Sequence, residues 1–174
     1  MGSYGKSDYK VIRVTPTLST DAYSGNDVLF TTTEIPNAVL GLGGCSKLLG
    51  VTLLNEDDAA NDIDLVFMQV DKDLGTINAA VGSGSLWTND LAKAAKVLGI
   101  LQIDHSDNDV DLVNNLVWSS FKSGPSEANS GNNLPMLLQA ESDSTSVYVQ
   151  AIVRDGTPDF AAADDLDLIL HIEK

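Results

Sequence analysis

Two segments near the C-terminal end of the sequence restrict what this chain can fold into more than any others. Ser146–Arg154 (SVYVQAIVR) places Val147, Val149, Ala151 and Val153 on one side and Tyr148, Gln150 and Ile152 on the other. Asp164–Ile172 places Leu166, Leu168, Leu170 and Ile172 on one side and Asp165, Asp167, Ile169 and His171 on the other. A helix would scatter residues spaced by two around its circumference, whereas an extended strand lines them along one face, so both segments are strands packed on one side.

The same period recurs upstream. Lys10–Leu18 alternates with Ile12, Val14 and Leu18 together, and Val28–Glu34 (VLFTTTE) is β-branched and ends at Ile35-Pro36-Asn37. Between Cys45 and Val70 two apolar strands, Lys47–Leu54 and Asp62–Val70, flank the acidic connection 55–61 and read as an antiparallel hairpin. Leu49, Val51 and Leu53 form the apolar face of its first strand, and Ile63, Leu65 and Phe67 that of its second. Gly99–Ile103, Val110–Phe121 and Leu134–Ala140 add further apolar stretches. Asp71–Ser85, with Gly75, Gly82 and Gly84, and Lys122–Asn133 (KSGPSEANSGNN) read as exposed loops. One helical signal stands out in Leu86–Val97, with Thr88 or Asn89 as cap and Leu91, Ala94, Ala95 and Leu98 at three- and four-residue spacing.

Eight to ten short strands with long connections and one short helix predict an all-β fold, an antiparallel β-sandwich of jelly-roll type. The Cys…Trp…Cys pattern of an immunoglobulin sandwich is missing, because Cys45 is the only cysteine. At 174 residues the chain reads as one domain over 10–174, preceded by a flexible arm over 1–9 whose MGSYGKSDY has no periodicity.

Charge narrows the partners. With 25 Asp and Glu against 10 Lys and Arg, the net charge of −15 repels nucleic-acid phosphates and anionic membranes, so neither is an expected partner. No apolar run is long enough to span a bilayer, and the N-terminus lacks the apolar core of a secretory signal, so a soluble protein made in a cytosol is expected.

Chemistry-bearing patterns are weak. Asp107, Asp109 and Asp111 stand at i, i+2 and i+4, but an EF-hand beginning at Asp107 needs Gly and Glu where Leu112 and Trp118 stand, which leaves a non-standard ion site as their one metal-binding reading. Glu56, Asp57 and Asp58, with Asp62 and Asp64, read as a solvated turn. Cys45 reads as a small half-buried thiol beside a strand start. His105 and His171 are far apart, and no G-x-S-x-G elbow or phosphate-cradling glycine loop is present. No cofactor and no enzymatic activity are expected. Trp87, Trp118 and Tyr148 are the candidate platforms if the sandwich binds sugars.

Taken in succession, VTPTLSTDAYSGNDVLFTTTEIPNAV, the Gly-Gly turn, KLLGVTLLNEDDAANDIDLVFM and SVYVQAIVRDGTPDFAAADDLDLILHI resemble a family of small tailed-bacteriophage virion proteins common among marine phages. The resemblance runs from Val11 to Ile172 and is thinnest over Asp71–Asn133. It implies a capsid decoration protein: a β-sandwich or jelly-roll body that assembles in the host bacterial cytoplasm as a homotrimer. Its partner would be the major capsid protein, whose capsomers it would bridge on the capsid surface. Tyr4 and Tyr9 in the arm are the expected contact residues. A module of the tail or fibre, or a carbohydrate-binding sandwich, is the alternative.

Overall fold

The computed structural model describes residues 8–57, 61–82, 91–105, 109–112, 116–120, 123–125 and 131–174. Nearly all of the regular structure in them is strand, in the order β1 (Tyr9–Val14), β2 (Val28–Ile35), β3 (Cys45–Asn55), β4 (Asp62–Met68), α1 (Leu91–Ala94), β5 (Val97–Ile103), β6 (Asp109–Asp111), β7 (Leu116–Ser120), β8 (Ser123–Pro125), β9 (Gly131–Asn133), β10 (Met136–Gln139), β11 (Val147–Asp155) and β12 (Leu166–Glu173).

Two antiparallel sheets form the body. Sheet A runs β1-β12-β3-β7-β6, with β10 also pairing β3 along its first half, and sheet B runs β2-β11-β4-β5. The pairing is nested: β1 pairs β12, β2 pairs β11, β3 pairs β10 and β7, and β4 pairs β5. A long antiparallel ribbon folded over itself gives this order, and it is the jelly roll expected from strand number and spacing. β8 and β9 make a separate small ribbon inside the segment read as a loop, a correction that alternation could not supply because Ser, Gly, Pro and Asn fill both strands.

The inner faces of the two sheets meet in one core. Leu166, Leu168, Leu170 and Ile172 of β12 face Val147, Val149, Ala151 and Val153 of β11, all at 1% exposure or less. Each such aliphatic side chain contributes about 1.5–3 kcal/mol relative to an exposed one. Tyr23 closes one end, its ring edge-on to Phe160 at 6.1 Å while its hydroxyl donates to the Leu29 carbonyl at 2.8 Å.

Three expectations from the sequence change at this level. The strands of Cys45–Val70 are not a hairpin: β3 lies in sheet A and β4 in sheet B, so residues 55–61 carry the chain across the sandwich. Each strand pairs instead with a distant segment that can cover its edge. Second, Leu49 does not share a face with Val51 and Leu53. A bulge between Leu48 and Gly50, opposite His171 and Ile172, shifts the alternation, and the buried set becomes Ser46, Leu48, Val51 and Leu53 with Leu49 half-buried. Third, α1 spans only Leu91–Ala94, with Lys96 already at positive φ and β5 starting at Val97; the expected caps Thr88 and Asn89 lie outside the described residues.

The outer faces differ. Residues 71–82, expected to be an exposed loop, pack against sheet B. Leu74 and Ala95 join Val66 and Met68 in a second apolar cluster, with Tyr148, Ile152 and Val97 against it. The Val28 N–H donates to Ala79 O, Asn78 N–H to Val28 O, and the Asp73 carboxylate accepts both the Thr32 N–H at 3.0 Å and its hydroxyl at 2.8 Å. Part of sheet B is thereby covered, and the outer edge of β2 is paired at Val28, Phe30 and Thr32.

Candidate functional site

The residues singled out in the sequence do not converge. Tyr4, Trp87 and Asp107 lie outside the described residues. Tyr9 is the first residue of β1 and not part of an arm, pairing Glu173 across the sheet with its side chain 67% exposed. Asp109 and Asp111 stand on β6, opposite Trp118 and Leu116 of β7. Among the described residues no group of three or more His, Cys, Asp or Glu side chains is arranged to hold a metal ion. No helix among them is long and apolar enough to cross a membrane. Trp118 is 4% exposed and packed into the core beside Leu53, so its ring offers no platform for a sugar. Tyr148 lies half-buried in the second cluster, where burial first, then the carboxylates of Glu34, Asp71 and Asp143, hold its phenol above the ordinary value. Cys45 is exposed rather than half-buried, because it opens β3 on the outward side, beside Gln139.

An ionic cluster not anticipated from the sequence sits where β4, β5 and β11 end together. The Arg154 guanidinium lies 3.3 Å from Asp62, 3.7 Å from Asp64 and 4.0 Å from Asp104, and donates to the Ile103 carbonyl at 3.0 Å. Asp62 also accepts from the His105 N–H at 3.2 Å. Burial pushes the Asp64 carboxyl up, against the pull of Arg154 and a hydrogen bond from Gln102. The cluster fastens three strand ends together. Its only trace in the sequence is an arginine closing an apolar strand in a chain poor in cations, with the three carboxylates supplied from elsewhere. Asp57, read as solvated, likewise binds the fold: it accepts from the Ala161 N–H at 3.1 Å.

A surface groove of about 530 Å³ lies between the loop preceding β3, residue 96 and the turn after β10. Gln69, Gln139, Glu141 and Ser142 line it together with Lys96, whose ammonium bridges Glu141 at 2.6 Å. The Gln69 side-chain amide donates to Ala140 O at 2.9 Å. Lys96 and Glu141 are thus paired with one another and Gln69 is bound to the backbone. Leu42 at its rim is 69% exposed.

The outer face of sheet A carries several exposed apolar side chains. Its cross-strand rows are Tyr9-Glu173-Lys47-Leu137, Val11-His171-Gly50, Arg13-Ile169-Thr52-Ser119 and Asp167-Leu54-Val117-Val110. Tyr9, Val11, Leu137 and Val110 are each more than half exposed. Arg13 bridges Asp167 at 2.7 Å and Lys47 bridges Glu173 at 3.2 Å. Thr15 donates its hydroxyl to the same Asp167, and the hydroxyls of Thr52 and Ser119 lie 2.8 Å apart.

No protein-family model matches the chain, and no curated protein does either. Among solved structures the chain is similar to one from Desmodium yellow mottle tymovirus, at 12% identity, over 99% of this chain and 84% of that one, with a TM-score of 0.27. A score that low is below what a shared fold gives, so the fold assignment stands on this chain's own strand pairing.

Proposed function

We propose that this protein is a structural component of a virus particle, and more specifically a decoration protein that binds the outside of a tailed-phage head and bridges capsomers of the major capsid protein. The observation that carries this reading is the succession of segments from Val11 to Ile172 that resembles small tailed-phage virion proteins. Two features of the fold agree with it. The strand order is that of the jelly roll, an architecture used in viral shells and also in lectins and cupins, so the fold alone does not choose the function. Arg154 with its carboxylates, and Lys96, Glu141 and Gln69 in the groove, hold strands and turns together, as suits a protein that acts by shape. In this reading it has no catalytic role and no cofactor, and it works as a homo-oligomer, a trimer where it sits on a local threefold axis.

The test is the particle itself. Purified virions that contain this chain should carry it on the head, in a copy number set by the symmetry of the shell, and cryo-EM should find its sandwich outside the capsid floor. A handful of copies confined to the tail overturns the decoration reading in favour of a tail or fibre module. For the carbohydrate alternative, a glycan array that binds the protein and loses binding on Tyr148→Ala would be needed, since Trp118 is buried.

A further inference from the structure

The outer face of sheet A differs from the rest of the surface in charge. The whole chain carries −15. Within the described strands of that face, however, the acidic and basic side chains are Asp167 and Glu173 against Arg13 and Lys47, each cation is bridged to one of the anions, and Asp165 and Glu56 stand at its margin, just beyond β12 and β3. The middle of the face is therefore close to electroneutral. Two copies of so acidic a chain repel one another through most approaches. Through this face the repulsion is smallest. The exposed side chains of Tyr9, Val11, Leu137 and Val110 supply apolar area there, and the internally paired charges can be covered without leaving one unpaired.

The extent is sufficient. Strands about 4.8 Å apart with a rise of about 3.3 Å per residue give five strands of this length a face of roughly 500 Å² in projection, so two copies bury on the order of 1,000 Å², the lower bound of a specific interface. The opposite outer face is covered by residues 71–82 and Ala95 of the same chain around Val66, Met68 and Tyr148, with Ile100 on β5 left exposed. We propose that copies of this chain associate through the outer face of sheet A, turned toward a shared symmetry axis. This does not depend on the virion reading, because it concerns the isolated protein.

Light scattering on the full chain at tens of micromolar, coupled to size exclusion, tests it. The expected mass is a small multiple of 18.4 kDa. The double variant Val11→Glu, Leu137→Glu changes two residues that are each 60% exposed, so it should keep the wild-type circular dichroism spectrum and a cooperative melt while associating at least tenfold more weakly. Ile100→Glu, at an exposed position of β5 in the other sheet, should leave the mass unchanged. Added NaCl should tighten association, because the long-range term to be screened is repulsion. A wild type that is monomeric throughout overturns the proposal, even if the double variant then loses binding to a shell protein, for the face would belong to that different protein. So does a double variant that keeps the oligomer mass, dissociation by Ile100→Glu, or association that weakens with salt.

Discussion

At the residue scale, Asp64 is the most informative side chain. Burial raises its carboxyl pKa in the fold despite Arg154 at 3.7 Å, and Asp62 beside it adds to the rise. A group whose folded pKa lies above its unfolded one contributes its full stability when protonated, below the unfolded value, and loses it as pH rises through the folded value. Ionised Asp64 is thus a cost at neutral pH, which the arginine only partly offsets. Asp64→Asn should have a Tm at pH 7 equal to or above that of the wild type, with the difference closing as pH falls through the carboxylate range, in thermal melts followed by circular dichroism. A clearly lower Tm at pH 7 would mean that the ion pair outweighs burial. The arginine keeps Asp62 and Asp104 in the variant, so it is not stranded.

At the scale of elements, the edges of the two sheets are treated differently. β2 ends sheet B, and Asp73 accepts the N–H and hydroxyl of Thr32 there, so Asp73→Ala should cost about 1–2 kcal/mol in urea unfolding and speed amide exchange along β2. Unchanged exchange at Thr32 would show that the edge is protected some other way. The strands themselves are legible in the sequence wherever strict alternation reflects one buried side, as in Leu166–Ile172 and Val147–Val153. What escapes is pairing and phase. β3 and β4 look like a hairpin because they are neighbours in sequence, but β3 pairs β12 and β4 pairs β11, 80 or more residues away, and the bulge at Leu49-Gly50 moves Leu49 off the face of Val51 and Leu53 with Gly50 as its one local sign. The outer face of sheet A is illegible for a related reason. Its residues alternate one by one with core residues along β1, β3, β7, β10 and β12, so no contiguous motif marks it. Trp118 is equally ambiguous, since an isolated tryptophan carries no sign of which side of its strand faces in.

At the scale of the whole molecule, sheet A depends on β12, which lies between β1 and β3. Removing residues 166–174 strips four side chains at 1% exposure or less from the core. That forfeits about 6–12 kcal/mol of apolar burial, against a total of about 5–15 kcal/mol for a domain. A chain truncated after Asp165 should show no cooperative unfolding transition; a sharp melt would mean that sheet B and its cladding fold alone. The same central position sets a timetable for biosynthesis. β3 ends at Asn55 and β12 begins at Leu166, so β1 and β3 emerge from the ribosome well before the strand that joins them. At elongation speeds of up to about 20 residues per second the wait is several seconds, long enough for unpaired apolar edges to meet a chaperone or another nascent chain. Yield in the cell should therefore follow translation rate and holdase capacity more closely than it follows the stability of the finished sandwich.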